Sequence, residues 1–351
     1  MRKKLGSLLR NLALVAASFA VAGLLFECGV RVLAPQSASP YRFSPDTYFE
    51  PIPGARFVHR GKEFAVPAQF NEFGMRDVPR RLEKPAGSLR VALLGDSFAE
   101  ALQVPLDSTL GRRLESELQH RYPERRPEVL NFGVSGFGTV ASLARYCALA
   151  SRFNPDVVIY LFVHNDAWDV LEIDARLYEE DDGRMVLHRI ELGPGRRVAR
   201  TVQDFVKHHS HAYRFMRYRL LVRELGQARA AAESRAAAAG TAELLPGDEA
   251  WMRVRQALEL LRDSTAADAA RLLVVQATTR GPDMDARLAG ICADLHIPFH
   301  TLVAALAADP GPVAFEVDGH WRARGHGIAG REIAIVVDRL LAAPSEPIHV
   351  R

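Results

Sequence analysis

Residues 156–163 form an almost unbroken apolar run, and a run with no polar alternation reads as a strand buried on both faces of a parallel sheet. Residues 89–94 are a second such run, ended by Gly95-Asp96, and residues 128–131 a third. Helical spacing over 105–122 and 139–153 separates them. After an interruption the alternation resumes, with a helix predicted over 249–263, a strand over 272–277, a helix over 283–295, a short strand over 298–302 and a last helix over 325–341. Such alternation implies βαβ crossovers, so the chain is expected to be α/β with a central parallel sheet covered on both faces. No internal repeat is visible.

The 351 residues, 48% hydrophobic, suffice to bury a core, which excludes disorder of the whole chain. Lys+Arg 45 against Asp+Glu 42 leaves a net charge of +3, and there is no basic stripe interleaved with aromatics, so a nucleic-acid partner is excluded. The N-terminus is less ordinary. Arg2, Lys3, Lys4 and Arg10 precede an uncharged run over 11–26, after which Glu27 and Arg31 appear. A spanning helix needs roughly 20 mostly apolar residues, and residues 8–30 supply them if Arg10 and Glu27 snorkel to the interfaces. A transmembrane anchor over 1–33 is therefore the first reading. A signal peptide cleaved near Ala20-Val21-Ala22 is the second, although it would not need Leu24, Leu25 and Phe26. Both put everything after residue 35 outside the cytoplasm, on the periplasmic side of an inner membrane or secreted after cleavage.

Pro35, Pro40, Pro45, Pro51 and Pro53 read as an extended stalk or wrap-around segment, assigned with the pre-domain residues to 34–88. The α/β domain is expected over 89–343, with an insertion at about 167–248 and a tail over 344–351. The insertion carries an acidic turn, Glu179-Glu180-Asp181-Asp182-Gly183, and a basic, alanine-rich helical stretch over 205–239 ending in Gly240. Its composition reads as a solvated helix or loop. Three cysteines suit an exported chain without a disulfide framework. Cys28 follows no lipoprotein cleavage box, and Cys147 and Cys292 read as buried small hydrophobes.

Chemistry enters where the strands end. Gly95-Asp96-Ser97 puts a hydroxyl at the carboxyl edge of the sheet, where open α/β sheets bind ligands. Alone, such a serine often only caps a helix. Far downstream, however, stands Asp318-Gly319-His320-Trp321, a carboxylate two residues from an imidazole. A serine hydroxyl needs a base to remove its proton, and that base needs a carboxylate to fix its tautomer, so Ser97, His320 and Asp318 are candidate nucleophile, base and acid. Asn131-Phe132-Gly133-Val134-Ser135-Gly136 and His164-Asn165-Asp166 follow the other two strands. Acyl transfer requires preorganised donors for the oxyanion, and Ser97, Gly136 and Asn165 are candidates. The plainer alternative is that the glycines make tight turns and Asn165 caps a helix.

The ordered set Gly95-Asp96-Ser97, Gly136, Asn165 and Asp318-x-His320 resembles the four blocks of the SGNH (GDSL) hydrolases, over roughly residues 89–342. The resemblance implies a flavodoxin-like three-layer sandwich with a central parallel sheet. It also implies a Ser97–His320–Asp318 triad, and an oxyanion hole of Ser97 N–H, Gly136 N–H and the Asn165 side chain. Two departures stand out. Val163-His164-Asn165-Asp166 replaces the frequent Gly-x-Asn-Asp, and one residue instead of two separates acid from base, as in members resembling the alginate O-acetylation branch. Membrane-anchored bacterial members also carry a segment like Asn71-Glu72-Phe73-Gly74-Met75-Arg76, in which Arg76 either contacts substrate or pairs with a carboxylate beside a Gly74 turn.

Three functions follow. One is an extracytoplasmic serine esterase acting on acyl esters of carbohydrate or lipid. The second is a polysaccharide O-acetyltransferase using the same triad, with a membrane acyl-donor protein as partner. The third is a non-catalytic binding module. An α/β-hydrolase elbow is disfavoured because Ser97 ends the first clear core strand. No Gly-x-x-x-x-Gly-Lys phosphate loop is present. No motif calls for a cofactor, and His208-His209-Ser210-His211 lacks further ligands for a metal.

Overall fold

Every residue of β5 (Arg90–Gly95) and of β7 (Val157–Phe162) is buried, which is the outcome their unbroken apolar runs demand. With β6 (Glu128–Asn131), β10 (Arg271–Gln276) and β11 (Phe299–Thr301) they form one parallel sheet in the order β11-β10-β7-β5-β6. In order of appearance this is the 2-1-3-4-5 arrangement of flavodoxin-like folds, read from its other edge. The computed structural model describes residues 2–36, 39–171, 174–217, 219–220, 246–278 and 281–343. The tail over 344–351 and the alanine-rich stretch over 221–240 lie outside the described residues.

Alternate residues of each strand serve opposite layers. Val91, Leu93, Val157, Ile159 and Leu161 face α3 (Leu110–Arg121) and α10 (Ala323–Ala342), whose Leu114, Leu118, Ile333 and Val337 are fully buried. Ala92, Leu94, Val158, Tyr160 and Phe162 face the other layer, built from α4 (Thr139–Ala148), α7 (Asp248–Ala267) and α8 (Pro282–Asp294). A short α9 (Val303–Ala307) follows β11. The sheet is tied down at its start by Arg90, whose guanidinium donates to Glu128 and to the carbonyls of Leu82, Phe153, Arg81 and Glu83.

The chain divides into two compact units, Pro40–Glu191 with Leu245–Arg351, and Met1–Ser39 with Leu192–Leu244. This differs from the expected boundaries in two places. Residues 40–69 are not a bare stalk but two antiparallel hairpins of the larger unit, β1 (Tyr41–Ser44) with β2 (Tyr48–Pro51) and β3 (Arg56–Arg60) with β4 (Ala65–Gln69). Proline ends helices, but it is compatible with short edge strands, and the aromatic residues between the prolines supply the packing. Tyr41 and Phe57 pack on Phe70. The first part of the expected insertion also belongs to the larger unit. It holds α5 (Asp166–Asp169) and the hairpin of β8 (Tyr178–Asp181) and β9 (Arg184–Leu187), with Leu177 and Met185 buried in the core. The acidic turn closes this hairpin at Asp182 and Gly183, both left-handed.

In the other unit, α1 (Arg2–Leu33) contains the apolar stretch Arg10–Leu33, of mean hydropathy 2.0, long enough to cross a membrane or to serve as a signal sequence. The basic helix expected over 205–239 is interrupted: α6 (Pro194–His209) begins earlier, because Pro194 at its first turn fixes a helical φ, and it ends where Ser210 turns extended. Cys292 is buried as expected, whereas Cys147 is exposed on α4.

Asp174, fully buried, accepts from Val140 N at 2.7 Å and so satisfies the start of α4. Burial pushes its carboxyl up to about 7, above the ordinary unfolded value. A raised carboxyl contributes stability below its unfolded pKa and loses it as pH rises through the folded value. Asp174→Asn, which keeps the acceptor and removes the charge, is therefore expected to gain stability relative to wild type on going from about pH 5.5 to about pH 8, as read by urea unfolding. A pH-independent difference would contradict this.

Candidate active site

β5 ends at Gly95, whose φ is +141°, and a Cβ there would lie 2.9 Å from the Leu161 carbonyl oxygen. Only glycine lets the chain turn this close to β7. Asp96 then caps α2 (Ser97–Glu100), accepting from Phe98 N at 2.8 Å, so Ser97 is the first residue of a helix at the carboxyl edge of the sheet. β6 and β7 flank β5, so Gly136 and Asn165 follow the two strands on either side of Ser97.

Residues 313–322 bring the imidazole to this edge. Phe315 N donates to His320 O, Arg322 N to Val313 O, and Gly319 takes φ +85° to close the turn. Within it, His320 Nδ1 lies 2.6 Å from Asp318 Oδ1, and His320 Nε2 lies 2.7 Å from Ser97 Oγ. A hydrogen bond donated by Nδ1–H to the Asp318 carboxylate fixes the tautomer in which Nε2 is the acceptor for the serine hydroxyl. Phe98 packs against both rings of the His-Trp pair, at 4.8 Å from His320 and 5.1 Å from Trp321. Trp321 is buried, which pins the loop to the sheet. Asp96 Oδ2 lies farther from Ser97 Oγ, at 3.3 Å. Burial raises the Asp96 carboxyl to about 6, against the Phe98 N–H and His320.

The loop has a support that sequence reading missed. Glu63, in the turn between β3 and β4, accepts from Glu316 N, Val317 N and Asp318 N at 3.0, 2.8 and 2.9 Å. Partial burial pushes its carboxyl up, but these three donors and Arg322 outweigh that and hold it low. Phe64 next to it packs on Phe315 at 5.2 Å. Nothing in a lone glutamate between Lys62 and Phe64 signals this role, since its partners lie some 250 residues away.

A second support lies behind the Ser135-Gly136 loop. Glu100, fully buried, accepts from Tyr41 Oη at 2.7 Å, from Ser135 N at 3.0 Å and from Ser135 Oγ. Gly136 follows in left-handed backbone, φ +84°. Arg76 does not face solvent. It is buried and donates to the carbonyls of Glu100 and Val104, while Asn71 caps the turn at Gly74 by accepting from Phe73 N and Met75 N. This segment is scaffold. Asn165 donates its amide to Asp169 Oδ2 at 2.7 Å, and Asp166 next to it accepts from Val163 N and Tyr160 Oη, which holds the turn without the frequent glycine. Among the described residues no group of His, Cys, Asp or Glu is arranged to hold a metal ion. His208 and His209 bond carbonyls of their own helix.

The family model described as "GDSL-like Lipase/Acylhydrolase family" matches residues 93–328, most of the chain. The chain belongs to this family. It is a GDSL-type chain with the α/β fold of ester-bond hydrolases, and its matched region runs from β5 into α10. Among solved structures it is similar to TesA, with 14% identity over 72% of this chain and 99% of the other at TM-score 0.41. It is also similar to a two-domain esterase active on acetylated mannans, with 13% identity over 75% and 52% at TM-score 0.43. A third is the esterase EstA from Pseudoalteromonas sp., with 12% identity over 72% and 99% at TM-score 0.41. No curated protein matches the chain.

Glu63→Gln keeps the size of the side chain but leaves the loop amides a weaker, uncharged acceptor. In this GDSL hydrolase it is expected to lower kcat on a small acetyl ester by roughly 10- to 100-fold with little change in KM, because a loosened base costs rate more than binding. An unchanged kcat would show that the loop holds without Glu63.

Proposed function

We propose that the chain is an extracytoplasmic serine esterase of the SGNH type, acting on acyl esters, acetyl esters among them, of carbohydrate or lipid. The observation that carries this is the continuous chain Asp318–His320–Ser97, with contacts of 2.6 and 2.7 Å and side chains that remain partly exposed. His320 Nε2 takes the hydroxyl proton as Ser97 Oγ bonds to the acyl carbon, and Asp318 stabilises the imidazolium. The oxyanion meets the N–H groups of Ser97 and Gly136 and the Asn165 amide, whose orientation Asp169 sets. His320 returns its proton to the departing alcohol, leaving an ester on Ser97. Water then attacks with His320 again as base, and the free acid leaves.

A second reading, polysaccharide O-acetyltransferase, draws on the single residue between Asp318 and His320 and on the apolar helix Arg10–Leu33 as an anchor. In it a sugar hydroxyl replaces water at the acyl-enzyme, and a membrane acyl-donor protein supplies the acetyl group. The two readings share every residue of the site. They are separated by supplying an acetyl donor with an oligosaccharide and searching for acetylated sugar by mass spectrometry.

A fluorophosphonate probe tests the shared chemistry. Wild type is expected to be labelled and Ser97→Ala to remain unlabelled, and His320→Ala to lose on the order of 10⁴-fold or more in turnover while still folding. Equal labelling of wild type and Ser97→Ala would remove Ser97 as nucleophile.

A further inference from the structure

α6 carries its amphipathic pattern the wrong way round for a helix in water. Val198, Val202 and Phe205 recur at i, i+4 and i+7 and so form one apolar stripe, yet they are 65%, 57% and 63% exposed. The opposite side carries Arg200, Asp204 and Lys207, which are half-buried, as are Val206 and His208. Arg200 and Asp204 approach to 3.8 Å with side chains 29% and 25% exposed. A surface helix ordinarily buries the stripe and exposes the charges, so the exposed stripe of α6 suits an apolar medium.

The end of α6 shows which medium that is, because it is fastened to α1 within the same compact unit. Arg31 donates to His209 O at 3.0 Å and to Glu27 at 2.9 Å. Glu27 in turn accepts from Ser210 Oγ, His211 N and Ala212 N at 2.8, 2.9 and 2.8 Å, capping the helical residues 211–217. Gln36 N donates to His211 Nδ1, and the rings of Phe26 and Phe215 meet edge to face at 6.4 Å. Glu27 and Arg31 are the first charges after the apolar run of α1. In a membrane-spanning α1 they stand where acyl chains give way to headgroups, and the His209 end of α6 stands there with them.

Charge agrees. Residues 192–217 contain six basic side chains, Arg196, Arg197, Arg200, Lys207, Arg214 and Arg217, against the single acid Asp204. We propose that α6 is an interfacial helix lying in the headgroup layer of the bilayer that α1 enters, with Val198, Val202 and Phe205 immersed and the basic residues on anionic headgroups. Its partner is a lipid surface carrying negative charge. The proposal rests on reading α1 as a retained anchor, and it makes the second half of the insertion part of the membrane attachment.

The full chain carrying Val202→Cys in a Cys28→Ser, Cys147→Ser background is labelled with an environment-sensitive fluorophore and reconstituted into phosphatidylcholine–phosphatidylglycerol vesicles. Cys292 is buried and stays unlabelled. A second variant carries Gln203→Cys on the opposite face. Retained ester turnover certifies the fold of both. The expected result is a blue-shifted emission at position 202 that lipids with a shallow spin label quench at least severalfold more than at 203, and that weakens when phosphatidylglycerol is omitted. Equal, weak quenching at 202 and 203 would overturn the proposal, whether residues 221–245 or a second copy of the chain covers the stripe. Alkaline carbonate extraction reads the anchor separately. A chain stripped by carbonate sinks the anchor reading and the proposal that rests on it, while a retained chain unquenched at 202 sinks interfacial α6 alone.

Discussion

A hydrogen bond of 2.7 Å joins His320 to Ser97 across 223 positions of sequence, and the catalytic unit is arranged so that this contact can exist. Ser97 is placed by the sheet, because β5 is buried on both faces and Gly95 permits one sharp turn at its end. His320 is placed by a loop with no regular structure of its own. That asymmetry explains why the loop has so many restraints: Trp321 buried beneath it, Phe98 against both aromatic rings, and Glu63 collecting three of its amides. For the proposed base His320, a fraction of an ångström out of line would cost much of its value, so rigidity around the loop would serve that chemistry.

The parts of this arrangement that were legible in sequence were those with local signals. Apolar runs marked the strands, and β6 begins and ends at the predicted residues 128 and 131 because turn residues bound it on both sides. Gly95-Asp96-Ser97 and Asp318-x-His320 were visible because the proposed nucleophile and base each sit in a short motif. Two predicted helices instead break near an end. Residues 106–108 and 150–153 form tighter 3₁₀ turns, where helical periodicity continues but the backbone tightens. What stayed hidden was long-range. Glu63 and Glu100 look like surface glutamates in sequence, and only the fold reveals one bridging to residues 316–318 and the other enclosed by Tyr41 and Ser135. Prolines between 35 and 53 suggested an extended stalk, yet from residue 41 the intervening aromatics pull the segment into two hairpins of the catalytic unit.

The region taken as one insertion serves two ends. Its first part returns to the core through Leu177 and Met185 and supplies Asp169 and Asp174, which hold Asn165 and the start of α4. Its second part joins α1 through Glu27 and Arg31. The candidate site and the proposed membrane attachment thus draw on adjacent stretches of one interruption, without sharing residues.

The most direct test of the triad is to trap its covalent product. After rapid acid quench of enzyme turning over an activated acetyl ester, intact-mass and fragment analysis is expected to find one added acetyl group, on Ser97, that accumulates in wild type and is absent from Ser97→Ala. Turnover at the full rate with no acylated intermediate on Ser97, or an acetyl group carried equally by Ser97→Ala, would contradict the account.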